Sequence, residues 1–279
     1  MTDDGVRFVS AATVSLEAYA AAINASFEGY PVQITFTPEM LARRVRFEQY
    51  DLESSLVALD GDDQTIGMAG LAIRGGRGWV SGFGFVPAWR RRGLGRRLMS
   101  ALLERARARG LRRLSLEVLK GNDAARQLYE SAGMHVTRDL LILDRPADYA
   151  PRDTRRAAEP KGAPAEELLK HYWRLHTEPP AWQRELSALL AADLRGFYVG
   201  ERRRPRAYAL LGYSHDGNTY ASDLAAADAD AAGEMCATLG RVGGSMKVIN
   251  EPERGPFAAP LRAHGFKEVM RQHEMTMEL

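Results

Sequence analysis

Two successive α/β (α+β) domains of like design are predicted, on three observations. The first is length: 279 residues exceed the usual single domain, and 45% apolar against 27% charged residues is a balance that can bury a sizeable core. The second is an order of patterned segments, β-α-α-β-β-β-α-β-α-β, over about residues 5–145. The third is the recurrence of that order beyond a proline-rich stretch, so that residues 1–146 and 165–279 are expected to be domains and 147–164 a linker.

Val6–Val9 reads as a short strand, followed by a helix from Leu16 to Ser26 that Phe27-Glu28-Gly29-Tyr30-Pro31 stops. Thr37-Pro38-Glu39 opens a second helix, to about Gln49, with proline in its first position. Strands at Ser55–Leu59 and Thr65–Arg74 make a hairpin around Asp60-Gly61-Asp62-Asp63. A glycine-rich turn then leads into the strand Trp79–Phe85. Leu94, Leu98, Ala101, Leu102 and Ala106 share one face of the next helix, which ends near Gly110. In Arg113–Leu119 the apolar Leu114, Leu116 and Val118 alternate with Ser115 and Glu117, the mark of a strand. Asn122 caps a helix through Ala132, Gly133 stops it, and His135–Leu143 is the closing strand.

In the second half, helices are expected at about Ala165–His176 and Ala181–Ala192, and strands at Phe197–Gly200, Ala207–Tyr213 and Thr219–Leu224. A helix at Ala229–Leu239, a strand at Met246–Ile249, a short helix reaching His264-Gly265-Phe266 and a strand at Arg271–Met277 complete it. Gly265 thus stands where Gly133 stood.

Cys236 is the single cysteine, which excludes an intrachain disulfide, and the six scattered histidines offer no metal-binding spacing, so no metal is expected. No apolar run approaches the roughly 18–20 residues of a membrane span, and Met1-Thr2-Asp3-Asp4 lacks the pattern of a secretory leader. A cytoplasmic chain without a membrane partner is the expectation. Residues 1–150 hold 20 basic and 18 acidic residues, and the remainder 18 of each, so no nucleic-acid partner is expected either.

Chemistry concentrates in Val86-Pro87-Ala88-Trp89-Arg90-Arg91-Arg92-Gly93-Leu94-Gly95-Arg96-Arg97-Leu98-Met99, where a strand turns into a helix. Glycines there allow close backbone approach, and the first helical amides have no intrahelical acceptor, so with the positive dipole end and the arginines they form an anion seat. Neither Gly-Lys-Ser/Thr nor a complete Gly-x-Gly-x-x-Gly is present, which excludes two common nucleotide loops. A basic helix start with a tight turn is the plain alternative.

Arg90, Gly93 and Gly95 fit Arg/Gln-x-x-Gly-x-Gly/Ala, which resembles the acyl-CoA pyrophosphate loop of the GNAT N-acetyltransferase superfamily. A second run carries the same resemblance: Leu116-Glu117-Val118, then Asn122 and Ala125, then Leu128-Tyr129-Glu130, then Gly133 with Met134 in place of the usual Phe. The resemblance implies two tandem GNAT acyl-CoA N-acyltransferase folds, each a mixed, mostly antiparallel sheet with a central V-shaped splay flanked by helices. The second copy is expected to be degenerate, a scaffold, a cleft wall or an interface. An acidic Ala225-Ala226-Ala227-Asp228-Ala229-Asp230 replaces the basic loop there, and Leu261 stands where Tyr129 would.

The resemblance further implies acetyl-CoA as co-substrate and an N-acetyltransferase in which an amine attacks the thioester directly. The backbone from about Phe83 to Val86, Phe85 and Val86 among it, would meet the pantetheine arm, and the amides of Arg91, Arg92, Gly93, Leu94, Gly95 and Arg96 the pyrophosphate. Asn122 and Tyr129 would touch the CoA arm, with Glu117 as general base and Tyr129 as general acid. Glu117 as a structural carboxylate and Tyr129 as a core aromatic are the alternatives. Phe27, Glu28 and Tyr30 occupy the acceptor-side loop, where a solvated-loop role is the alternative. The acceptor, a small-molecule or peptide amine, stays open, as does a homodimer. The rival functions are an acyl-CoA-binding sensor or interaction module without turnover and an arginine-rich nucleic-acid binder, the latter disfavoured by the near-neutral halves.

Overall fold

A computed structural model describes residues 5–31, 35–149, 159–213, 218–242 and 244–279. The chain divides into two compact units, Met1–Thr137 with Glu274–Leu279, and Arg138–His273.

The first unit runs β1 (Arg7–Ser10), α1 (Leu16–Ser26), α2 (Pro38–Glu48), β2 (Leu56–Leu59), β3 (Thr65–Arg74), β4 (Arg77–Phe85), α3 (Leu94–Ala108), β5 (Arg113–Leu119) and α4 (Asp123–Ser131), within about two residues of expectation. Ser15, Thr37 and Asn122 cap α1, α2 and α4, each side chain accepting the N–H three residues on. β1 to β4 are antiparallel neighbours, and β5 lies parallel to β4. Pairing of β4 with β5 runs only from Arg77–Arg113 to Trp79–Ser115, after which the strands part.

Side-chain alternation assigns the two faces of this sheet. Ala69, Leu71, Val80, Leu116 and Val118 join α3 and its Leu94, Leu98 and Leu102 in one core. The alternate positions Met68, Ser81 and Gly82 face Ile23 of α1 and Leu41 of α2. Glu117 lies between Leu116 and Val118, so its side chain takes the α1/α2 face.

The second unit continues with β6 (His135–Arg145), β7 (Lys161–Pro164), α5 (Ala165–Leu169), α6 (Tyr172–Leu175), α7 (Leu186–Leu190), β8 (Arg195–Glu201), β9 (Arg204–Tyr213), β10 (Thr219–Ala226), α8 (Ala229–Leu239), β11 (Met246–Pro252), α9 (Ala258–Ala263) and β12 (Lys267–Glu278). Its strand order is β7-β8-β9-β10-β11-β6. β10 and β11 are parallel, and their pairing too is short, from Thr219–Met246 to Ala221–Val248.

Three differences from expectation have physical causes. The helices expected at 165–176 and 181–192 are broken into short pieces, because Tyr172 and Arg184 turn inward: the Tyr172 hydroxyl donates to the Arg184 carbonyl at 3.0 Å. The expected linker is partly strand, since Lys161–Pro164 pairs with β8; its residues 150–158 lie outside the described residues. The units also exchange segments. Most of β6 belongs to the second unit, while the last residues of β12 return to the first, so the division follows strand pairing and not the proline-rich stretch.

Gly265 follows α9 as Gly133 follows α4, and both are left-handed, at φ +86° and +100°. A Cβ on Gly265 would stand 2.2 Å from the Tyr149 ring, whereas one on Gly133 would meet Met277 Cε at 3.6 Å. Gly133→Ala is therefore expected to lose about 1–2 kcal/mol, the left-handed backbone cost alone. Gly265→Ala should lose at least about 1 kcal/mol more, because the ring must also move. Urea unfolding of both variants checks the order; equal losses would contradict it.

Candidate active site

From Val86 the chain makes a 3-10 turn at Pro87–Trp89 and enters α3 through Gly93, which is left-handed at φ +78°. A Cβ at Gly93 would meet nothing within 4 Å, so the residue is open to solvent and its need for glycine is conformational. No side chain caps α3. The Arg96 amide donates to the Gly93 carbonyl at 3.2 Å, and ahead of it the amides of Gly93, Leu94 and Gly95 have no carbonyl within the helix to receive them. Arg91 is itself left-handed at φ +61°, the kind of strained non-glycine backbone that gathers at functional loops.

The other motif residues divide between exposed and structural positions. Arg91, Arg92 and Arg96 are exposed, and the Arg92 guanidinium stacks 4.8 Å from the Trp89 ring centroid. Gly95 serves packing: a Cβ there would press on Leu128 at 3.2 Å, so glycine lets α3 approach α4. Arg90 props the loop from beneath. Its Nε donates to the Phe85 carbonyl at 2.8 Å, and its Nη2 to the Ser26 and Glu28 carbonyls at 3.1 and 2.7 Å.

The backbone of β4 beyond the parting is half engaged. Val86 donates its N–H to the Ile66 carbonyl at 2.9 Å, which takes that amide out of reach of a ligand. Strand alternation turns the amides of Phe83 and Phe85 to the opposite edge, the one β5 has left. The open edge is therefore at Phe83 and Phe85, within the expected stretch Phe83–Val86 but without the Val86 amide.

Glu117 and Tyr129 approach this opening from opposite faces. Trp79 Nε1 donates to Glu117 Oε2 at 2.7 Å, and the Arg44 guanidinium interacts electrostatically with the same carboxylate. Beside them lies a cavity of about 40 Å³ walled by Ile23, Phe27, Phe36, Arg44, Tyr50 and Ser81. Arg44 is also held by Glu48 at 2.6 Å and stacks 4.9 Å from the Phe36 ring centroid. Apart from Phe27, these wall residues do not stand out in the sequence. The one signal for Arg44 is its place three residues after the buried Leu41 and four before Glu48, on an inward helical stripe.

Tyr129 is buried in the α3/α4 core, its ring edge-on to Phe83 at 6.0 Å. Burial, with the nearby Tyr30 as a lesser cause, pushes its hydroxyl far above the ordinary phenol range, so it keeps its proton at neutral pH. Tyr30 meets the Phe27 ring edge-on at 5.2 Å and lies near the Asn122 side chain, while burial holds its hydroxyl above the ordinary phenol range. Phe27, Tyr30, Asn122, Tyr129 and Phe83 thus form one contiguous wall. The Glu28 side chain is exposed outside that wall, and its carbonyl serves Arg90.

At the corresponding turn of the second unit, Asp228 caps α8 by accepting the Ala231 amide at 2.7 Å. Arg206 pairs with Asp228, Asp230 and Glu234. Carboxylates fill the place an anion would take. Leu261, four residues before Gly265, is fully buried core. Among the described residues no group of three or more His, Cys, Asp or Glu side chains could hold a metal, and no helix is long and apolar enough to cross a membrane.

Residues 20–134 match the acetyltransferase (GNAT) family. The chain is 36% identical over 122 residues to mycothiol acetyltransferase of Clavibacter michiganensis subsp. michiganensis (strain NCPPB 382), a match that takes in 43% of this chain and 39% of that protein. The fold of the whole chain is similar to a tandem GNAT protein from the clavulanic acid biosynthesis pathway, with a TM-score of 0.68, 14% identity and 98% of each chain covered. It is equally similar to a GCN5-related N-acetyltransferase from Sphaerobacter thermophilus, with a TM-score of 0.68, 15% identity, and 100% of this chain and 97% of that one covered.

Because Arg90 ties the end of α1 to the end of β4, Arg90→Ala is expected to cost about 1–3 kcal/mol, the net worth of its backbone hydrogen bonds in a partly exposed site. Amide exchange at residues 86–93 should accelerate with it. Unchanged exchange there would show that the guanidinium does not hold the loop.

Proposed function

We propose that this chain, whose residues 20–134 match the GNAT acetyltransferase family and whose fold is similar to that of a tandem GNAT protein, transfers an acetyl group from acetyl-CoA to a primary amine by direct attack. The observation that carries this reading is the uncapped start of α3 behind the open, left-handed Gly93, next to the point where β4 and β5 part.

In this reading the amides of Gly93, Leu94 and Gly95, with the exposed Arg91, Arg92 and Arg96 side chains, hold the diphosphate of the donor. The free edge of β4 at Phe83 and Phe85 receives the amide groups of its arm, and Asn122 and Tyr30 border it. Acetyl-CoA supplies the activated acetyl thioester. The acceptor enters beside the Arg44–Tyr50–Ser81 cavity, where Glu117 takes a proton from the ammonium so that the nitrogen lone pair is free to attack. As the N–C bond forms and the C–S bond breaks, Tyr129 gives its proton to the departing sulfur, and the second proton shed by the acylated nitrogen restores the Tyr129 hydroxyl, leaving the first on Glu117 to pass to solvent. Trp79 holds Glu117 in place for the first of these transfers.

A free-thiol assay with acetyl-CoA over a broad amine panel tests the proposal. Glu117→Gln should lower turnover about 100-fold or more, as expected for loss of a general base. Tyr129→Phe should lower kcat at least about tenfold with little change in the Kd for acetyl-CoA. Acetyl-CoA binding with no thiol release from any amine would favour a sensor instead, and an unchanged kcat for Tyr129→Phe would remove the acid role.

A further inference from the structure

The second unit holds a buried charged cluster that acetyl transfer in the first does not use. After β10 and β11 part, Leu224, Ala225, Ala226, Pro252 and Phe257 wall a cavity of about 30 Å³. His176, Arg184 and Glu251 line it, with Glu178 also on its wall. Arg184 and Glu251 are 5% and 2% exposed. Burying such groups is costly, and an apolar replacement of the set would be no less stable, so their presence calls for a role.

The two carboxylates of the cluster are served unequally. Asp223 accepts from Arg184 Nε at 3.2 Å and from the Tyr208 hydroxyl at 2.8 Å, and faces His176 Nε2 at 3.2 Å. Glu251 Oε2 accepts from Arg184 Nη1 at 2.6 Å. Glu251 Oε1 accepts nothing among the described residues. It lies 3.2 Å from where a Cβ on Gly255, another residue of the cavity wall, would stand. The cluster thus turns toward the cavity one carboxylate oxygen that accepts no hydrogen bond from a described residue.

We propose that this cavity binds a small protonated amine, whose ammonium group donates to Glu251 Oε1. A bare carboxylate oxygen in an apolar site calls for a donor, and a cationic donor is favoured because Arg184 divides its charge between two carboxylates. The volume admits only about two or three heavy atoms. The apolar walls suit a short alkyl group, and the acidic start of α8 argues against an acyl-CoA diphosphate in this unit.

Calorimetric titration of the full chain with methylammonium chloride, against potassium chloride at matched ionic strength, tests the site. Saturable binding of methylammonium but not of potassium is expected. Glu251→Gln should weaken it about tenfold or more, the loss of a charge-assisted hydrogen bond. Gly255→Ala, which alters no charge and sets a methyl group against Oε1, should weaken it as well, and decides the matter if Glu251→Gln fails to fold. Absence of saturable binding, an equal response to potassium chloride, or undiminished affinity in a natively folded Glu251→Gln chain overturns the proposal.

Discussion

The parting of β4 from β5 after Trp79 and Ser115 is the constraint on which the first unit's site depends. Two parallel strands that stayed paired would satisfy each other's amides and leave no edge for a ligand. Once they separate, the amides of Phe83 and Phe85 face a gap, and Glu117 and Tyr129 reach that gap from opposite faces. The opening is fixed at both ends. Arg90 holds the loop after β4 to the end of α1, and Trp79 holds Glu117 across the last paired residues.

The two units build similar gaps and furnish them differently. In the first, α3 begins without a cap and with arginines exposed; in the second, Asp228 fills the start of α8 and Arg206 is engaged by three carboxylates. Tyr129 in one corresponds to the buried Leu261 in the other. The second gap is not empty of chemistry, however: Glu251, Arg184 and Asp223 stand within it, fully buried. The same strand geometry therefore carries an uncapped helix start flanked by exposed arginines in one case and a buried acid-base cluster in the other.

Much of this was legible in the sequence because it is local. Helix starts at Thr37 and Asn122, the strand alternation around Glu117 and the glycine at the start of α3 are each decided within a few residues. What could not be read is set by distant contacts. Within the stretch Phe83–Val86, Val86 drops out of the free edge because Ile66, on another strand, takes its amide. Arg44 and Tyr50 meet Glu117's surroundings only through folding of α2 onto the sheet. The broken helices around Tyr172 and Arg184 carry apolar spacing that reads as continuous, yet Arg184 answers to Asp223 and Glu251, 39 and 67 positions away, and Tyr172 to the Arg184 carbonyl. The exchange of β6 and the end of β12 between units leaves no local mark at all.

The central claim is that the bare start of α3 binds an acyl-CoA diphosphate and the acid-filled start of α8 does not. The stoichiometry of acetyl-CoA binding to the full chain, measured calorimetrically, tests it most directly. One molecule per chain, with affinity falling as salt rises, is the result predicted. Two molecules per chain, or none, would contradict it.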